Sequence, residues 1–136
     1  MAKVCLFSEV DGIVFLHGKP VEGADVERQY EWAWGGKTFT DKVVTDANGA
    51  FHFSPAFKSM ILGSVLPHQP VITQTINITH DQKSVRVWAY AKMLYDENSE
   101  LGGKPIKISC YLDREPTHFA EKITSVSPYG PCELRE

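Results

Sequence analysis

The chain is predicted to be all-β, a single-domain antiparallel β-sandwich of about seven short strands joined by Greek-key connections. Three observations predict it. Turn chemistry recurs at short intervals, at Gly18-Lys-Pro20, Gly35-Gly36, Asp46-Ala-Asn-Gly49 and Gly102-Gly103, where glycine supplies left-handed backbone and proline fixes its own φ. Between these turns the apolar residues alternate with a period of two. At 136 residues the chain is about one domain, large enough to bury a core without metals or disulfides, and residues 1–136 show no internal repeat, low-complexity tract or second domain.

Taken in order, residues 3–7 and 12–17 read as short strands, with Cys5 and Phe7 on one face of the first and Ile13 and Phe15 on one face of the second. Ser8 to Gly12 reads as a break or bulge between them. From Ala24 to Trp34 the residues Ala24, Val26, Arg28, Tyr30, Trp32 and Trp34 share a parity opposite Asp25, Glu27, Gln29, Glu31 and Ala33, a strand covered on one side and acidic on the other. Residues 38–45 and the Phe51-x-Phe53 segment flank Asp46–Gly49, which reads as a hairpin turn. Phe57, Met60, Ile61, Leu62, Val65 and Leu66 fall closer to a helical period, so one short helical turn is expected near 57–66. Residues 71–79, 84–92 and 104–113 give three further strands. The middle one carries bulk on both sides, which places it centrally in a sheet. Between the last two, residues 93–103 form a polar loop.

The paired pattern G-x-V-x-x-x-G-x-P-V-x-G-A-x-V at Gly12–Val26 and T-D-x-x-G-x-F-x-F at Thr45–Phe53 resembles the transthyretin-like, or prealbumin-like, sandwiches found as regulatory domains beside carboxypeptidases and in bacterial accessory proteins. The resemblance covers residues 12–53 well and the remainder loosely. It implies the sandwich fold, and an edge strand able to pair with a second copy as a homodimer or with the partner. The hydrolases that share this fold rely on an N-terminal histidine, a mid-chain arginine and histidine, and a C-terminal Tyr-Arg-Gly-Ser. Here the N-terminal strand has no histidine and the chain ends Pro128-Tyr-Gly-Pro-Cys-Glu-Leu-Arg-Glu136, so that activity is not carried over.

Composition excludes several classes. A net charge of −3 with no basic stripe speaks against nucleic acid, and no apolar run is long enough to span a membrane. The apolar patch at the N-terminus is cut off by Glu9 and Asp11, which fails as an export signal, so the expected location is cytoplasmic. Cys5, Cys110 and Cys132 are an odd set without C-x-x-C spacing. They read as free thiols, the first two as small buried hydrophobes and Cys132 in a tail where a reactive thiol stays open.

No catalytic, cofactor-binding or metal-ligating set emerges. His17, His52, His68, His80 and His118 form no zinc spacing,. Asp46-x-Asn48-Gly49 lacks the later bidentate acid of a calcium loop. What remains is surface. Tyr30, Glu31, Trp32, Trp34, Trp88, Tyr90, Tyr95, Asp96 and Glu97 combine aromatic anchors with acids, the means by which a protein steers and grips a basic partner. The leading expectation is therefore a non-catalytic protein-binding module, in its narrowest form a bacterial immunity protein or adaptor that binds a toxin or effector. At least one of Trp32 and Trp34 is expected to be core. Two alternatives stay open: a small hydrolase drawing on His17, His52, His118 and Asp46, and a carbohydrate-binding module using Trp32, Trp34 or Trp88.

Overall fold

The computed structural model describes residues 2–34, 36–60, 71–113 and 132–135. It is an all-β sandwich. The strands are β1 (Ala2–Phe7), β2 (Val10–Leu16), β3 (Lys19–Pro20), β4 (Asp25–Trp32), β5 (Lys37–Val44), β6 (Ala50–Phe53), β7 (Ala56–Met60), β8 (Ile72–His80), β9 (Lys83–Lys92), β10 (Ile106–Tyr111) and β11 (Cys132–Leu134), with one 3₁₀ turn at Ser99–Leu101. One sheet runs β5-β4-β8-β9. The second runs β11-β10-β2-β3, with β6 also paired to β2, and β1 pairs with β7 as a separate ribbon. Every pairing is antiparallel except β2 with β10, which is parallel.

The alternation expected for Ala24–Trp34 governs the core. Ala24, Val26, Arg28, Tyr30 and Trp32 all point inward, while Asp25, Gln29 and Glu31 are exposed. Ile72, Ile76 and Ile78 of β8 and Ile106 and Ile108 of β10 complete the apolar layer. In β2 the inward residues are Val10 and Val14. Ile13 and Phe15 do share a face, but it is the outer one, where Phe15 stacks on Tyr111 at 5.4 Å.

The two halves of the glycine-rich pattern lock together. The buried Thr45 hydroxyl donates to the Val21 carbonyl at 2.6 Å and accepts from the Ala24 amide at 2.9 Å. Asp46 Oδ1 accepts from the Asn48 and Ala50 amides, and Gly49 takes φ +74 with no room for a side chain, since a Cβ would lie 2.6 Å from the Val14 carbonyl. This turn is not a hairpin. β5 belongs to one sheet and β6 to the other, so Asp46–Gly49 carries the chain across the sandwich.

Four further expectations are corrected. Residues 57–60 are strand, not helix: β7 lies in register against β1, Cys5 opposite Phe57, because the backbone of β1 needs a partner and pairing overrides local periodicity. Residues 61–66 lie outside those described. β9 is an edge of its sheet in the described residues, not a central strand. Residues 93–103 are not simply a solvated loop, since Glu100 is fully buried. Finally, Cys110 and Cys132 are joined by a disulfide across β10 and β11, which spacing could not reveal because the two strands are brought together only by the fold. Cys5 is the free thiol among the described residues, buried as expected, and burial pushes its pKa up.

Candidate functional site

The site begins with a register shift. Between Ile76 and Asn77 the pairing of β8 with β9 slips by one residue, so that Val87 and Trp88, adjacent in sequence, are both fully buried. A bulge of this kind reverses the parity of everything after it. Without it Lys92 would face solvent. With it, Trp88 and Lys92 fall on the inner face, and Lys92 ends β9 completely buried.

An ammonium in that position must spend all three of its hydrogens. Lys92 Nζ donates to the Asp96 carbonyl at 2.7 Å, to Ser99 Oγ at 2.8 Å and to Glu100 Oε1 at 3.0 Å. Glu100 is equally saturated: Ser8 Oγ donates to Oε1 at 2.5 Å, and the Ser8 amide and Gln74 Nε2 donate to Oε2 at 3.0 and 2.8 Å. Gln74 in turn donates to the Leu6 carbonyl and accepts from the Trp88 indole at 3.0 Å. Burial alone would push the Glu100 carboxyl up. The hydrogen bonds from Ser8 and Gln74 and the Lys92 charge outweigh it and hold the group below the usual carboxylate range,.

A buried ion pair is weak as a source of stability, because desolvation offsets most of the Coulomb gain. What this one does is geometric. It holds the loop from Met93 to Gly103 against the end of the sheet. The Asn98 amide donates to Ser8 Oγ at 2.8 Å, the Cys5 amide donates to the Tyr95 carbonyl at 3.0 Å, and the Trp32 indole donates to the Tyr95 hydroxyl at 3.1 Å. Trp32 and Tyr95 also meet edge to face. The underside of the loop is thus fixed at several points. The loop also carries Met93 and Leu94, 49% and 57% exposed, followed by the exposed acids Asp96 and Glu97.

The residues expected to bind a partner divide accordingly. Tyr30, Trp32 and Trp88 are core: Tyr30 stacks on Phe39 and bonds Asp41, and burial with the Asp41 charge pushes its hydroxyl up to about 12. They cannot touch a partner, and Trp32 and Trp88 cannot lie flat under a sugar. Their size and hydrogen-bonding groups suit a sandwich interior. Trp34, Tyr90 and Tyr95 are half-buried, while Glu31, Asp96 and Glu97 are exposed. Since Trp32, Ile72 and Lys92 lie in one row across the sheet, Glu31, Trp34 and the loop share one end of the sandwich. Sequence reasoning missed Lys92, Gln74 and Ser8, whose roles depend on the bulge. Met93-Leu94, an apolar pair inside a polar stretch, was the available signal for the loop.

A separate groove of about 620 Å³ is lined by Asp11, His52, Lys107 and Arg135 of the second sheet's side together with Asp46 and, from β5 of the first sheet, Val43 and Val44. His52 Nδ1 lies 2.7 Å from Asp11 and Nε2 lies 3.5 Å from Glu9. His52 and Asp46 thus share one groove, whereas His17 pairs with Asp113 at 3.7 Å and does not line it. His118 is outside the described residues. Among the groove's described lining residues none is serine, threonine or cysteine.

The chain belongs to a family described as a domain of unknown function, DUF6795, whose model matches residues 10–115, a span that takes in Gln74, Trp88, Lys92 and Glu100. No curated protein matches the chain. Among the described residues no helix is long and apolar enough to cross a membrane.

Proposed function

We propose that the protein is a non-catalytic protein-binding module that recognises its partner with the loop from Met93 to Asn98. The observation that carries this reading is the pairing of a fully buried Lys92–Glu100 network beneath the loop with exposed Met93, Leu94, Asp96 and Glu97 above it. Pre-organising a loop reduces the ordering cost of association. Two adjacent apolar side chains beside two acids match a partner with an apolar socket rimmed by lysine or arginine, the acids steering the encounter and the apolar pair anchoring it. Glu31 and Trp34 extend that surface.

The clasp between Thr45 and the Val21–Ala24 segment supports the transthyretin-like resemblance, and with it the reading as an adaptor or immunity protein whose partner is a basic toxin or effector. The Cys110–Cys132 bridge favours an oxidising compartment for the encounter, in place of the cytoplasm.

The test is affinity capture from the source cell with three baits: the native chain, Leu94→Asp, and Lys42→Glu on the exposed side of β5 as a control. A basic protein recovered stoichiometrically by the native chain and by Lys42→Glu, but lost with Leu94→Asp, supports the reading. Recovery of no protein partner, or equal recovery by all three baits, contradicts it.

A further inference from the structure

We propose that Glu9, Asp11 and His52 bind one divalent transition-metal ion on the outer face of the β2–β6 pair. The arrangement follows from strand geometry. Glu9 and Asp11 flank Val10, which is fully buried, so both carboxylates turn outward. His52 lies between the buried Phe51 and Phe53 and turns outward for the same reason. The register of β2 against β6 sets Asp11 directly opposite His52. One donor atom from each of the three side chains lies within 4.8 Å of the others, a spread that small rotamer changes contract around an ion.

The donor set selects the ion. One imidazole nitrogen with two carboxylate oxygens suits zinc, manganese, iron(II), cobalt or nickel. Calcium takes six to eight oxygens, more than these three side chains offer. Each side chain is 42–47% exposed, so the ion enters without unfolding and keeps water in its remaining positions. Two cations temper the affinity: Lys107, opposite Asp11 on the β10 side, and Arg135, whose Nη2 donates to the Asp11 carbonyl at 3.3 Å.

No histidine spacing could have shown this, because His52 and Asp11 are 41 residues apart and meet only through sheet register. The inference does not depend on the loop's role in binding a protein. It is tested by calorimetric titration of the full chain with zinc chloride, and by the visible absorption of bound cobalt(II). Variants are His52→Ala and Asp11→Asn, with His17→Ala as the control for adventitious binding beside Asp113. The expected result is one ion per chain for the native protein and His17→Ala, with affinity at least about ten-fold weaker in His52→Ala and Asp11→Asn. Absence of saturable binding to the native chain, or unchanged affinity in His52→Ala, overturns the proposal. Since all three ligands are surface residues, circular dichroism of each variant separates lost binding from lost folding.

Discussion

Lys92 and Glu100 meet at 3.0 Å with both side chains sealed from solvent. They stand eight positions apart in sequence, and the exposed part of the proposed recognition loop lies within the seven residues between them. The pair therefore acts as a clip, tying the end of β9 to the 3₁₀ turn and leaving the intervening residues nowhere to relax.

A clip of this kind gives opposite outcomes for single and double replacement. Glu100→Gln leaves a buried ammonium without its counter-charge and is expected to destabilise the protein by about 3–5 kcal/mol. The double variant Lys92→Met with Glu100→Leu removes both charges and is expected to be far less destabilised than Glu100→Gln, yet to exchange the amide protons of Asn98 and Cys5 faster, because the partners that seat the loop are lost. Urea unfolding and native-state hydrogen exchange check the two halves separately.

The pH dependence follows with a definite sign. Glu100 is held below its ordinary carboxylate range in the folded state, so it contributes stability that is fully present above the unfolded-state value of about 4.3. That contribution is lost as pH falls from there through the lower folded-state value. Urea midpoints measured from neutral pH down into the acid range should therefore fall more steeply for the native chain than for the Lys92→Met, Glu100→Leu variant. Parallel curves would place the acid sensitivity in other carboxylates.

Gly12 illustrates a different constraint. It stands opposite Phe51 in the β2–β6 ladder, and a Cβ there would fall 2.1 Å from the Phe51 ring. The ring packs over bare backbone. Gly12→Ala is expected to cost about 1–3 kcal/mol through overpacking, and Phe51→Leu in the same chain should recover part of that loss. Thermal or urea unfolding of the two variants decides it.

The disulfide closes a segment whose ends are 22 residues apart in sequence. In the chain-entropy account such a cross-link contributes about 3 kcal/mol by restricting the unfolded state. Cys132→Ser should lower stability by that order, and β11, which pairs with β10 at only three positions, should detach first. Intact mass after alkylation without reductant is expected to show one modified thiol once the chain is unfolded, that of Cys5.

What could be read from sequence was whatever depends on neighbours along the chain. The alternation from Ala24 to Trp32, the left-handed Gly18 and Gly49 and a core role for at least one of Trp32 and Trp34 all follow from local pattern, and the all-β sandwich follows with them. What escaped depends on pairing. The one-residue slip opposite Asn77 turned Lys92 inward, sheet register brought His52 to Asp11 and Cys110 to Cys132, and pairing with β1 made a strand of residues whose spacing suggested a helix. Glu100 looked like a solvated acid because nothing near it in sequence announces the buried amine that neutralises it.

The central claim is that the surface of residues 93–98 is where recognition occurs. It is tested most directly by hydrogen exchange across the backbone of the native chain, alone and saturated with the captured partner. The account predicts that slowed exchange on complex formation is centred on Met93, Leu94, Asp96 and Glu97. Unchanged exchange there, with protection along β5 instead, would contradict it and assign recognition to strand addition at the sheet edge.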